Sequence, residues 1–203
     1  MIDDRKIKIT LAVILIATSV ILIYTLIDYF TFKNFQDVKS SHMPLGNFDE
    51  LIIENGMVKR ANIGKIGSQH IHADIKVYVN GNSLNFASPK YYMKSSFLHV
   101  DNNQNLEDAS GVLHMHATNV PLWVFFKSIG MDLSKDCITL ENNERLCNNG
   151  NKKIAFYVNG KANNYFENYV FGDNDKILVS YGDETGEEIM NQINSVTDYA
   201  KKH

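Results

Sequence analysis

No Gly-x-x-x-x-Gly-Lys and no Gly-x-Gly-x-x-Gly occurs in the 203 residues. Both glycine-rich turns that cradle phosphates on backbone N–H groups are therefore missing. Basic character is also lacking: beyond residue 33 there are 16 Lys and Arg against 20 Asp and Glu, with no arginine cluster. A nucleic acid needs a positive face to exchange for its counterions, and none is offered here. An anionic membrane surface has no reason to attract such a chain either. No Ser/His/Asp set can be picked out for nucleophilic catalysis. Cysteine is scarce, with Cys137 and Cys147 the only two. Their spacing excludes Cys-x-x-Cys, the arrangement in which a helix dipole lowers a thiol pKa for redox work.

What is present begins with one long apolar run. Ile9 to Ile27 carries no charged residue, and a membrane-spanning helix needs about 20 such residues. Tyr24, Tyr29, Phe30 and Phe32 are placed for the far interface. Arg5, Lys6 and Lys8 precede the run while Lys33 and Lys39 follow it, which favours a cytoplasmic N-terminus. No small-x-small cleavage site follows, so the run reads as an uncleaved signal anchor. The expected organisation is a transmembrane helix over 1–33, a polar linker over 34–47, an extracytoplasmic domain over 48–184 and a last helix over 185–203. The protein is then single-pass in the cell membrane with its C-terminal domain outside the cytoplasm. Phe48 to Ile66 should pack a first element against that domain. His42 reads as a solvated linker residue, and the terminal His203 is given no role.

Gly111–Ala117 alternates with a period of two and reads as a half-buried strand. Thr118 or Asn119 is placed to cap a following helix, Pro121 suits its first turn, and Gly130 is a natural stop. Leu122, Phe125, Phe126 and Ile129 give that helix an apolar stripe. Ile75–Gly81 (IKVYVNG) and Ile154–Gly160 (IAFYVNG) each run a strand into Asn-Gly, a strong hairpin signal because both residues accept positive φ. Ser96–Val100 reads as a further strand, and Cys137–Leu140 and Arg145–Cys147 as a pair around Glu141-Asn142-Asn143-Glu144. Tyr165–Phe171 and Lys176–Tyr181 are expected to finish the sheet. Thr185-Gly-Glu-Glu188 has capping-box form ahead of Ile189, Ile193 and Val196 at helical spacing. The fold class expected is α+β, a mainly antiparallel or mixed sheet with one packed helix and a C-terminal surface helix. The element order over roughly Gly111 to Gly182 resembles the β-grasp fold of small ubiquitin-like and sulfur-carrier domains. The Gly-Gly tail of the carriers is missing, so no carrier function is implied.

The chemistry-bearing residues are histidines. His70 and His72 fall on one face of a strand, as do His114 and His116, and His99 lies in the strand expected to pair with Gly111–Ala117. If these strands adjoin, five imidazoles meet on one side of the sheet. Neutral imidazole suits copper and zinc, and three or four ring nitrogens satisfy either. Asp74 and Asp101 are placed to accept from the rings and set their tautomers. The plainer alternative is a solvated polar face, or histidines buried singly with backbone partners. A cupin site is disfavoured because Asn119 and Val120 stand where its glutamate would be, and a multicopper oxidase because no Cys-His ligand is present. Cys137 and Cys147, separated by a turn, suit a structural disulfide in an oxidising compartment, stabilising by about 2–3 kcal/mol.

Taken jointly, HIHADIKVYVNG, LHMHATNVPLWVFFKSIGM, CITLENNERLCNNG, VNGK and ILVSYG resemble a family of small membrane-anchored extracytoplasmic proteins of ammonia-oxidising archaea. Some of its members carry the label protein disulfide isomerase. The resemblance covers about Gln69 to Gly182. The function expected is binding of copper or zinc through His70, His72, His114 and His116, with His99 in reserve, for metal handling or as an accessory to a membrane copper enzyme rather than for catalysis. The alternatives are a thiol–disulfide oxidoreductase using Cys137 and Cys147, a structural subunit of a membrane protein complex, and a metal-dependent hydrolase.

Overall fold

A computed structural model describes Leu11, residues 14–27, Tyr29, residues 46–101 and residues 111–202. The chain divides into two units, Met1–Ser41 and His42–His203. In the first, residues 14–27 are helical with Leu15, Ile16, Ile21 and Leu22 exposed. The hydroxyls of Thr18, Ser19 and Thr25 fold back onto the carbonyls of Leu15, Ile16 and Leu22, so these three side chains are satisfied by the helix itself. Among the described residues no helix is long and apolar enough to cross a membrane. Ile9, residues 12–13 and Asp28, through which the expected anchor runs, lie outside the described residues, as do His42, His203 and most of the expected linker.

The second unit is organised by β1 (Ile71–Val79), the strand that begins in HIHADIKVYVNG. Its alternation sorts the side chains. Ala73, Ile75 and Val77 are fully buried on one face, and His72, Asp74, Lys76 and Tyr78 point to the other. β1 runs antiparallel to β4 (Gly111–Met115) on one side and parallel to β10 (Asp175–Gly182) on the other. The full order is β3-β4-β1-β10-β8-β9, with β3 at Leu98–Val100, β8 at Lys153–Val158 and β9 at Lys161–Ala162. β2 (Asn82–Ser83) pairs with the end of β1 to complete seven strands. The Asn-Gly turns behave as expected: Asn80 and Gly81 have φ 50° and 77°, Asn159 and Gly160 have 51° and 76°. These are the values a two-residue primed turn demands.

The apolar face is covered by α3 (Trp123–Ser128), after α1 (Asn47–Glu54) and α2 (Met57–Arg60) earlier in the chain. Phe125 of α3 meets Phe86 edge-on at 5.4 Å. A Cβ at Gly111 would come within 3.1 Å of Phe86 and Val100, so a larger residue there would need both to give by a few tenths of an ångström. The helix does not start where expected. Thr118 and Asn119 do not cap it; its N-cap is Leu122, with no side-chain cap, and Asn119 sits at φ 58°. Pro121 explains this, because it disfavours a helical conformation at the preceding residue, Val120. Gly130, at φ 76°, does end it: Gly130 N–H donates to Lys127 and Met131 N–H to Phe126, a Schellman pair.

A small antiparallel sheet follows, β5 (Asp132–Leu133), β6 (Cys137–Thr139) and β7 (Arg145–Cys147), in which Cys137 and Cys147 stand directly opposite and are joined as a disulfide. Tyr165–Phe171 is not a strand. Phe166–Asn168 forms a 3-10 turn with Phe166 at φ 45°, and its aromatics cap Phe156, Phe166 and Tyr169 each at 5.6 Å. The Asn163 side chain, accepting from Tyr165 N–H, turns the chain before a ladder can form. The terminal strand instead sits at the centre of the sheet, beside β1.

The second face of the sheet is covered by the C-terminus. Helix α4 (Gly186–Ser195) opens with the capping box of Thr185 and Glu188. Beyond it, Lys76 Nζ donates to Ser195 O and Lys176 Nζ to Val196 O, at 3.0 and 3.4 Å. Asp74, 1% exposed, accepts from Thr197 Oγ1 and from the N–H groups of Tyr199 and Ala200. This covering reaches along β1 as far as Asp74. Past it, on the same face, lie the histidines.

Candidate metal centre

Register brings the rings together. His72 pairs directly with His114 across β1 and β4, and His114 with His99 across β4 and β3. Directly opposed residues share a face, so three imidazoles line up across three neighbouring strands. His70, just ahead of β1, and His116, just past β4, extend the row by one pleat. The backbone of His72 is held by the 172–175 turn: its N–H donates to Asp173 Oδ1 at 3.0 Å and its carbonyl accepts from Asn174 N–H at 2.7 Å. His116 is fixed likewise, its N–H donating to Phe97 O and its carbonyl accepting from Gly67 N–H.

The five rings form a closed circuit. Centroid distances are 4.9 Å for His70–His72, 4.5 Å for His72–His114, 5.8 Å for His114–His99, 5.0 Å for His99–His116 and 4.9 Å for His116–His70. Within it, His70, His72 and His114 are a group that could hold a metal ion, each offering a ligand atom within 4.8 Å of the others. His70 Nε2 and His72 Nε2 are 3.1 Å apart. Two nitrogens bound to one zinc at the usual bond length stand about 3.3 Å apart in tetrahedral geometry, so this pair already has nearly the spacing of a shared ion. His70 is exposed, His72 half-buried and His114 buried, which leaves the group open on the His70 side.

His99 and His116 lie outside that tightest group, for different reasons. His99 is 1% exposed, with Nδ1 2.6 Å from Ser95 O and Nε2 3.2 Å from Asp101 Oδ1. Both nitrogens face oxygens that only accept, so the ring is held by partners of its own away from the tight group. Among the described residues no hydrogen bond reaches the His116 ring. Burial, then the charges of His99 and His70, push its pKa down to about 4 against the pull of Asp101, so the ring is neutral with a lone pair at neutral pH.

Of the two carboxylates expected to orient the rings, Asp101 is in place. Its second oxygen lies 3.4 Å from His114 Nδ1. The hydrogen bond with His99 holds the Asp101 carboxyl below the usual carboxylate range despite partial burial, with His114 adding to the effect. A carboxylate beside Nδ1 of a histidine favours the tautomer that presents Nε2, an arrangement found in many metal sites. Asp74 is engaged elsewhere, with the C-terminal segment. Sequence reasoning missed Ser95, just ahead of β3, and Asp173 and Asn174, which hold His72 from a loop about a hundred residues away. Asp173 and Asn174 were visible only as turn formers.

No family model, curated protein or solved structure matches this chain. The Cys137–Cys147 disulfide points to an oxidising, extracytoplasmic setting.

Proposed function

We propose that this domain binds a transition metal, copper or zinc, through His70, His72 and His114, with His116 turning in as the fourth ligand and His99 kept as a support. The observation that carries the reading is the convergence of ring nitrogens from two neighbouring strands within 4.8 Å. All donors are imidazole, with no thiolate or thioether, which suits Cu²⁺ and Zn²⁺ and offers nothing that favours Cu⁺. The open His70 side leaves a bound ion accessible to a donor from a partner, as a handling or delivery site needs. The role is metal carriage or support of a membrane enzyme rather than catalysis, with residues 1–33 as the membrane anchor and the domain outside the cytoplasm. The parallel partner of β10 is β1, upstream of the Gly111 to Gly182 range expected to be β-grasp-like, so the likeness holds only with β1 counted in. The disulfide joins two opposed strand residues rather than a helix N-terminus, so it serves as a staple.

The test is titration of the full-length protein with Cu²⁺ and Zn²⁺ beside a variant carrying His70→Ala, His72→Ala and His114→Ala. One equivalent should bind the wild type, with that class of site absent from the variant. Equal binding by the two proteins would refute the assignment.

A further inference from the structure

Five of the nine buried polar or charged residues among the described ones lie on a single path: Asp49, Ser95, Ser96, His99 and His114. Asp49 stands in the first turn of α1 and is 0% exposed. One of its oxygens accepts from Ser95 Oγ and the other from Ser96 N–H, both at 2.6 Å. Ser95 Oγ accepts in turn from Phe97 N–H at 3.1 Å. The loop so held aims Ser95 O at His99 Nδ1, 2.6 Å away; His99 Nε2 meets one oxygen of Asp101, and the other oxygen faces His114 Nδ1. The last link, from Asp101 to His114, is the longest at 3.4 Å. A buried carboxylate held at both oxygens is costly to leave unsatisfied, so the loop cannot drift without losing it.

We propose that Asp49 is a positioning residue of the metal centre, acting through Ser95, His99 and Asp101 to hold His114 in the tautomer that presents Nε2. The proposal rests on the metal reading above for its function, but its geometry exists without metal. It ties the first helix of the domain to the metal site, so displacement of α1 weakens the site.

A double-mutant cycle in the full-length protein tests it, with Zn²⁺ as the probe. D101N should weaken binding about 10–100-fold, as expected for an outer partner of a ligating histidine. D49N should weaken it about 3–10-fold in the wild-type background and not at all in the D101N background, because the path is already cut. Equal loss from D49N in both backgrounds would overturn the proposal, as would a lowered melting temperature with affinity unchanged. The ¹⁵N shifts of His114 in metal-free protein give a second readout: the Nδ1–H tautomer should dominate in the wild type and become mixed in D49N. An unchanged tautomer in D49N overturns the proposal even if the wild type binds no metal, a result that would refute the proposed function separately. Should D49N not fold, S95A breaks the same link and carries the same expectations.

Discussion

Two ends of one sheet face differ in what their polar side chains meet. At one end Asp74, Lys76 and Tyr78 project from β1 into the C-terminal segment, where oxygens and N–H groups of Ser195, Thr197, Tyr199 and Ala200 answer them. At the other end, His70, His72, His114 and His116 project from two neighbouring strands and their rings crowd one another, with Asp101 reaching His114 from the side. Polar atoms that close on the protein's own backbone stabilise it. Imidazoles crowded against imidazoles gain little from that contact, because each ring pair can share just one hydrogen bond. The contrast assigns structure to one end and chemistry to the other, although His72 and Asp74 are only two residues apart.

Substitutions at those two residues should therefore dissociate. His72→Ala is expected to lower Cu²⁺ or Zn²⁺ affinity by more than the roughly 10–100-fold expected of an outer partner, while urea unfolding of the metal-free protein shifts by less than about 1 kcal/mol. Asp74→Asn should do the reverse. It replaces a buried carboxylate that accepts three bonds, at a cost of about 2–4 kcal/mol, and leaves metal affinity nearly intact. Similar effects of both variants on both quantities would erase the distinction between the ends.

Replacing Cys137 and Cys147 together by serine should cost about 2–3 kcal/mol of stability without altering metal affinity, since the small sheet supplies no ring to the circuit. The smallest effect concerns pH. His116 titrates near 4 in the folded chain, below its ordinary 6.5, so the unfolded chain holds more protons between those values. Stability of the metal-free protein should rise with pH from about 4 to 6.5 and be lost again on acidification through that window. His116→Ala should flatten that rise in equilibrium unfolding curves. An unchanged slope would place the ring in water.

Features carried by local rules were legible in the sequence. Asn-Gly at residues 80–81 and 159–160 demanded positive φ, Thr185 and Glu188 stood at capping-box spacing, and His-x-His on a strand put both rings on one face. Cys137 and Cys147 faced each other because the turn between them set their register. The α+β class followed from these. What was not legible depended on partners far along the chain. Asp74 looked like a support for the neighbouring rings, and only the return of residues 195–200 over β1 claims it instead. Asp49 carries no pattern of its own in the sequence, and only the fold brings Ser95 and Ser96 to its two oxygens. Tyr165–Phe171 had the composition of a strand, yet the Asn163 side chain turns the chain just ahead of it and Phe166 takes φ 45°. The anchor over 1–33 was read from composition alone.

X-ray absorption spectroscopy at the metal edge of the Zn²⁺- or Cu²⁺-loaded full-length protein tests the central assignment most directly. The account predicts three to four imidazole nitrogens at about 2.0–2.1 Å, with one imidazole fewer when His114 is replaced by alanine. A coordination sphere of oxygen alone, or one that His114→Ala leaves unchanged, would contradict it.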